Sequence, residues 1–149
     1  MKPNILNLFG LGKTKFSAST ASLVAVLIYF AVCNFIQEKN SVNIILFSAV
    51  LLLCIASLLK NKLYAAHDPK EIVADEFLGM YVLLLIAGTQ QILWLTVLFA
   101  TFRIVDILKP FPFSIIDKKY KNGFGVMADD IAIGIFLGVL FRMSEKFIL

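Results

Sequence analysis

Two long uncharged apolar runs near the start of the chain restrict its fold more than any other feature. Residues 19–36 and 42–59 are each 18 residues long and carry no charge. A helix needs about 20 such residues to cross the hydrocarbon core of a membrane. The short link between the runs predicts an antiparallel pair of membrane helices. No small-residue cleavage site follows the first run, which argues against a secretory signal peptide.

Three shorter apolar runs follow, at residues 77–88, 92–102 and 131–141. Each reaches a membrane-spanning length only if the helix continues through neighbouring polar residues. The first run extends back through Asp75 and Glu76, and the second runs on through Arg103 and Asp106. We therefore predict an all-α integral membrane bundle of about five helices, some of them short or re-entrant. Polar helix ends would form a site on the cytoplasmic side.

Composition supports a membrane protein with a single domain over residues 1–149. Hydrophobic residues make up 60% of the chain, against about 45–50% in ordinary soluble domains. The net charge is +4, but no basic face with stacking aromatic residues is evident, so we expect no nucleic-acid partner. With five crossings, 11 of the 14 lysines and arginines fall on the side of the N-terminus, which places that side in the cytoplasm. A re-entrant hairpin over 77–102 would leave the acidic segments on that same side.

Three polar segments interrupt this apolar chain. Adjacent carboxylates at Asp75 and Glu76 are typical ligands of a hard cation, although a solvated helix start would also explain them. Arg103 and Asp106 are one helical turn apart, followed by Lys109 and Pro110, which ends the helix. Arginine and lysine commonly bind phosphate, but an ion-pair ladder along the helix would give the same spacing.

The third segment is Asn122-Gly123-Phe124-Gly125-Val126-Met127-Ala128-Asp129-Asp130. Its glycines would precede a helix, and Asp129 and Asp130 would occupy the first turn, where they could bind metal or simply cap the helix. Clustered carboxylates with phosphate-binding cations indicate Mg²⁺-assisted phosphoryl chemistry. The single histidine, His67, excludes a two-histidine mechanism. Neither cysteine is followed by arginine six positions on, and Asn7 replaces the first glycine of a P-loop.

The chain resembles the phosphatidylglycerophosphatase A family across most of its length. The matching segments are His67-Asp68 with residues 72–80, Phe102 to Pro112, and Gly123 to Gly134. This resemblance implies Mg²⁺-dependent hydrolysis of phosphatidylglycerophosphate to phosphatidylglycerol at the cytoplasmic face of the bacterial inner membrane. Membrane lipid would then be both the environment and the source of the substrate.

The resemblance carries the family's acidic motif over to Asp75 and Glu76, its Arg-Asp-Lys-Pro motif to residues 103–110, and its closing aspartate pair to Asp129 and Asp130. From charge type and spacing we expect Asp75, Glu76, Asp129 and Asp130 to supply the ligands of one or two Mg²⁺ ions, and Arg103 and Lys109 to bind the phosphomonoester. Asp106 would orient a water molecule or act as a nucleophile. His67 is expected at the surface or at a helix end, with assistance to Asp68 near the metal ligands as the alternative. The family's N-terminal proline and glycine are lost here, but Thr20 and Ser22 could still donate hydroxyl hydrogen bonds to the headgroup.

Three other functions fit parts of the sequence. A small transporter would place its carboxylates along a path through the membrane rather than at helix ends. A CDP-alcohol phosphotransferase would space its aspartates four apart on a helix, whereas Asp129 and Asp130 are adjacent. A structural membrane adaptor explains the apolar runs but not the clustered carboxylates.

Overall fold

The computed structural model describes residue 8 and residues 16–37, 39–60, 73–115 and 123–148. These residues form five long helices and, within the described ranges, no β-strand, which confirms the all-helical prediction. The helices are α1 (Ser17–Phe35), α2 (Lys39–Lys60), α3 (Ala74–Ala87), α4 (Ile92–Leu108) and α5 (Gly123–Ile148).

Two of the predicted helix ends agree with the structure, and one differs from it. α3 includes Asp75 and Glu76, and α4 stops just before Lys109, the residue preceding a proline. α5 begins at Gly123, so the prediction that Asp129 and Asp130 occupy its first turn was wrong; they lie about two turns inside it. Gly125 is buried, and such packing outweighs the low helix propensity that made these glycines resemble a loop.

α3 is the central helix and packs most extensively against α5 and α1. α3 and α5 are parallel, because Gly79 lies against Asp130 near their starts and Gly138 lies against Ile86 further along. α4 runs antiparallel to α5. The Trp94 and Phe141 rings meet 5.3 Å apart at one end of this pair, and an ion pair joins the two helices at the other.

The contacts of α2 with α1 and α3 define the directions of these three helices relative to one another. Asn43, near the start of α2, contacts Cys33 near the end of α1 and accepts a 2.6 Å hydrogen bond from the Tyr81 hydroxyl of α3. Towards the other end of α2, Cys54 lies within electrostatic range of Asp75. α2 is therefore antiparallel to both α1 and α3. The starts of α1, α3 and α5 consequently lie at the same end of the bundle as the ends of α2 and α4.

The burial pattern suits an apolar environment around the bundle. α3 is buried along most of its length, including its acidic first turn. The other helices expose large apolar side chains, such as Phe35, Ile45, Ile107 and Leu140. Soluble monomers rarely expose apolar surface so widely.

Within the described ranges, one helix, Ser17–Phe35, is both long enough and apolar enough to cross a membrane. The apolar part of α2, Asn40–Ile55, is shorter. The first of the predicted membrane helices therefore meets the length and hydropathy criteria for crossing a membrane. The other described helices do not meet them.

Candidate active site

Three carboxylates from two helices converge at the end of the bundle where α3 begins. Asp75 and Glu76 lie in the first turn of α3, and Asp130 faces them from α5. One oxygen from each carboxylate lies within 4.8 Å of the others. Residues more than 50 positions apart in the sequence therefore form a single cluster, as the spacing of the acidic segments predicted. We call these three residues the acidic cluster.

The acidic cluster is largely buried, and two of its carboxylate oxygens are unsatisfied among the described residues. Asp75 and Asp130 are 4% and 2% exposed. In the described part of the chain, Asp75 Oδ1 and Glu76 Oε2 have no hydrogen-bond partner. Buried charged oxygens are costly unless a counter-charge satisfies them. Convergent carboxylate oxygens of this kind are the ligands that Mg²⁺ prefers, so the residues present fit a divalent cation.

The three carboxylates are close enough to repel one another when they are ionised. Because their oxygens lie within 4.8 Å of one another in a largely buried site, full ionisation is unfavourable without a counter-charge. A bound cation would supply that charge.

Arg103 and Asp106, from the last turns of α4, border the acidic cluster. The Arg103 Nη1 donates a 2.6 Å hydrogen bond to Asp106 Oδ2, which confirms the intrahelical pairing that their spacing allowed. Asp106 is close enough to Asp130 for their carboxyl groups to hydrogen-bond. The Arg103 Nε is buried and has no hydrogen-bond partner among the described residues. An unsatisfied guanidinium donor beside acidic groups suits a phosphate oxygen.

Lys109 and Asp129 form a second ion pair at this end, between α4 and α5. The Lys109 Nζ lies 2.6 Å from Asp129 Oδ2, and the Asp129 side chain is fully buried. Lys109 itself adopts a left-handed backbone conformation with φ of 40°. This ion pair joins the end of α4 to α5, and continuation of the Arg103–Asp106 ladder to Lys109 stays a prediction. The role of Asp129 as a metal ligand stays a prediction.

The other predicted site residues lie either on α1 or outside the described part of the chain. Thr20 and Ser22 lie near the start of α1, at the same end of the bundle as the acidic cluster. Their hydroxyls donate hydrogen bonds to backbone carbonyls of their own segment, Thr20 to Phe16 at 2.6 Å and Ser22 to Ala18 at 3.1 Å. Their contact with phosphate stays a prediction. His67 and Asp68 lie outside the described residues.

Gly79 is a site feature whose structural role the sequence did not reveal. A Cβ at this position would lie 2.6 Å from the backbone oxygen of Asp130 and 2.8 Å from the Phe102 ring. Gly134 lies against the backbone of Gly79 itself. Gly134 and Gly138 are four residues apart, a spacing that is a weak sequence signal for close helix packing, and a glycine inside the apolar α3 was the available signal for the partner helix.

Comparisons with known proteins agree on one family. A family model described as Phosphatidylglycerophosphatase A matches residues 4–145. Among curated relatives, Phosphatidylglycerophosphatase A of Escherichia coli K12 is 32% identical over 143 residues, covering 92% of this chain and 80% of that protein. The Haemophilus influenzae protein of the same name is 44% identical over 70 residues, but the match spans only 47% of this chain and 43% of the relative.

A third relative carries a different name. A Bacteroides thetaiotaomicron protein, provisionally named a phosphatidylinositol-3-phosphatase, is 29% identical over 142 residues, covering 92% of this chain and 89% of that protein. No solved structure matches the chain.

Proposed function

The chain belongs to the phosphatidylglycerophosphatase A family, and from this membership we propose that it hydrolyses the terminal phosphomonoester of phosphatidylglycerophosphate to give phosphatidylglycerol, with Mg²⁺ as cofactor. The class of reaction is phosphoric monoester hydrolysis. The observation that carries the proposal is the buried acidic cluster, whose three carboxylate oxygens lie within 4.8 Å of one another next to an arginine.

Asp75, Glu76 and Asp130 would hold the Mg²⁺, with Asp129 as a further ligand from the predicted pool. When bound, the ion supplies positive charge that polarises the phosphoryl group and favours ionisation of a water molecule. The two unsatisfied carboxylate oxygens of the cluster support this assignment. A hard cation with several oxygen ligands would offset the repulsion between these buried groups.

Arg103 and Lys109 would bind the phosphate of the substrate. Arg103 has a buried Nε donor available, in addition to the group that contacts Asp106. Lys109 presents a point charge from the adjoining turn, where it contacts Asp129. Together they place two cations beside the acidic cluster, which favours a dianionic phosphomonoester over a neutral headgroup.

Asp106 would assist the reaction, either by accepting the proton of the attacking water or by attacking phosphorus itself. In the first case the water oxygen bonds to phosphorus as Asp106 takes its proton, the bond between phosphorus and the ester oxygen breaks, and the glycerol oxygen takes up that proton. In the second case Asp106 forms an acyl phosphate while the glycerol oxygen leaves and takes a proton from water, and a second water molecule then hydrolyses the acyl phosphate to inorganic phosphate and the free carboxylate. The hydrogen bond from Arg103 holds the Asp106 carboxylate in a fixed orientation. Thr20 and Ser22, if they act, would contribute hydroxyl donors from α1.

We propose further that the chain is a single domain that crosses the bacterial cytoplasmic membrane several times, with the acidic cluster on the cytoplasmic side. The helix directions support this placement, because the described helices that carry candidate site residues begin or end at the same end of the bundle. The excess of lysine and arginine on that side favours the cytoplasm. The headgroup would then meet the site at the interface while the acyl chains stay in the bilayer.

The test is release of inorganic phosphate from phosphatidylglycerophosphate in mixed micelles by the purified protein. We expect activity with Mg²⁺, loss of activity with EDTA, and recovery when Mg²⁺ is restored. Asp106→Asn and Asp130→Asn should each lower the rate by at least about 10²-fold, the typical effect of removing a group that acts in the transition state. Glu145→Gln is the matched control, because this carboxylate pairs with Arg142 on the far part of α5.

Full activity of both aspartate variants would reject the residue assignment. Activity in EDTA after exhaustive dialysis would reject the cofactor. Since one relative is provisionally named for a phosphoinositide substrate, phosphatidylinositol 3-phosphate should be assayed in the same micelles. A higher kcat/KM on that lipid would keep the chemistry but change the substrate.

A further inference from the structure

An apolar groove runs between α1 and α4 on the outside of the bundle. It has a volume of about 330 Å³, and its walls are almost entirely hydrocarbon. The residues that matter to its shape are Leu23, Leu27 and Phe30 from α1, and Ile92, Thr96 and Phe99 from α4. We call this feature the α1–α4 groove.

The groove leads to the phosphate-binding end of the candidate active site. On α4, Ile92, Thr96 and Phe99 follow one another at intervals of four and three residues, and the next positions on the same face are Arg103 and Asp106. On α1, the face that carries Phe30, Leu27 and Leu23 continues to Thr20. The apolar walls thus give way to a guanidinium and a hydroxyl at one end.

The distance from the far end of the groove to Arg103 matches the thickness of one membrane leaflet. Ile92 and Arg103 are eleven residues apart on α4, a rise of about 16 Å. Half of the ~30 Å hydrocarbon core of a bilayer is about 15 Å. An acyl chain whose headgroup lies at Arg103 would therefore end near the level of Ile92, where the groove ends.

The volume of the groove also fits a single acyl chain. A methylene is about as large as a water molecule, whose share of liquid volume is about 30 Å³, so 330 Å³ holds roughly eleven carbons in single file. A helix of a second copy is about 10–12 Å across with its side chains and is too wide for this space. A single hydrocarbon chain fits.

We propose that the α1–α4 groove binds one acyl chain of the lipid substrate and aligns its phosphate with Arg103. The proposal rests on the proposed function, since it concerns the same substrate and the same site. The unsatisfied Nε of Arg103 lies beyond the polar end of the groove, where the headgroup of a bound chain emerges. Chain binding would use contacts remote from the phosphoryl group to position it for reaction.

The test compares two substrates and two matched variants. The substrates are long-chain phosphatidylglycerophosphate and its deacylated, water-soluble headgroup. Thr96→Phe fills the groove, whereas Thr101→Phe places the same ring on a half-buried face of α4 that does not line the groove. The two threonines make the same local hydrogen bond, since each donates to the carbonyl four residues earlier, at 2.9 and 2.8 Å.

We expect Thr96→Phe to lower the ratio of kcat/KM on the long-chain lipid to kcat/KM on the deacylated headgroup by about tenfold. That change is equivalent to the loss of about two buried methylene contacts. Thr101→Phe should leave the ratio unchanged. Thr96→Leu, a smaller replacement, should give an intermediate decrease and takes the place of Thr96→Phe if the phenylalanine variant does not fold.

An unchanged ratio in the folded Thr96 variants would overturn the proposal, as would an equal fall of the ratio in Thr101→Phe. Failure of the proposed function looks different, because the unmodified protein would then release phosphate from neither substrate. A lipid that merely coats the groove without positioning the substrate would also leave the ratio unchanged, and so counts against the proposal.

Discussion

Replacement of Gly79 by alanine is expected to lower phosphate release by about 10²-fold while changing stability only modestly. The new Cβ would lie 2.6 Å from the backbone oxygen of Asp130, against at least 3.4 Å for an ordinary contact. α3 and α5 must therefore separate by about 0.8 Å at this point. Gly79 is one turn from Asp75 on α3, so the separation directly widens the acidic cluster. A misplacement of about 1 Å in a reacting constellation can cost 10²-fold in rate.

The effect on stability is smaller because two terms oppose each other. Overpacking of a buried contact costs about 1–3 kcal/mol, whereas alanine is favoured over glycine within a helix by about 1 kcal/mol. The net destabilisation is then about 0–2 kcal/mol. A loss of activity that exceeds this change would identify geometry, rather than unfolding, as the cause.

Gly138→Ala is the matched comparison. Its Cβ would lie 2.9 Å from the Cβ of Ile86, so it also overpacks the interface between α3 and α5. Gly138 is eight residues beyond Asp130, about 12 Å along the helix from the cluster. Phosphate release per folded molecule and thermal unfolding in detergent should be measured for both variants. Equal activity in the two would refute the argument that Gly79 sets the spacing of the carboxylates.

The remaining predictions concern contacts around the site and at the far end of the bundle. Lys109→Met should reduce activity by at least about tenfold and destabilise the fold by about 1–3 kcal/mol, because it removes the cation 2.6 Å from the buried Asp129. The Lys109→Met/Asp129→Asn double variant should be more stable in chemical denaturation than the single Lys109→Met variant. Tyr81→Phe should cost about 1–2 kcal/mol by deleting the buried hydrogen bond to Asn43, with kcat within about twofold of the unmodified value; a large fall in kcat would contradict this. Arg142→Gln removes a donor to the carbonyl of Ala87 at the end of α3 and should lower stability by less than about 1 kcal/mol, since the side chain is largely exposed.

Helices in which charged residues continue the helical spacing of an apolar run could be predicted from the sequence. The extension of the apolar run 77–88 back to Asp75, and of 92–102 on to Asp106, followed from helical spacing alone. The end of α4 followed from Pro110, because the preceding residue avoids the α-helical region. The Arg103–Asp106 pair is a contact within one turn, which sequence spacing also defines.

Contacts between helices were harder to predict because they depend on packing that no local pattern encodes. The start of α5 was misplaced because Gly123 and Gly125 are poor helix formers, and no local pattern shows that Gly125 is buried. The contact between Lys109 and Asp129 was ambiguous for a similar reason, because its two residues lie twenty positions apart in the sequence and on different elements. The absence of Cβ atoms at Gly79 and Gly134 sets the α3–α5 distance, but the sequence marks neither glycine as the partner of the other.

The close approach of α3 and α5 connects the fold to its chemistry. Glycine contacts bring the two backbones near enough for carboxylates from both helices to converge, and burial then makes their simultaneous ionisation unfavourable. The first turn of α3 offsets part of that cost, because its unpaired N–H groups favour negative charge, but Asp130 lies inside α5 and receives no such help. Lys109 supplies part of the compensation for Asp130; a divalent cation would supply more, and a ligand that binds only the folded state stabilises it. The same ion would therefore support both the packing of the α3–α5 interface and the hydrolysis of the phosphomonoester.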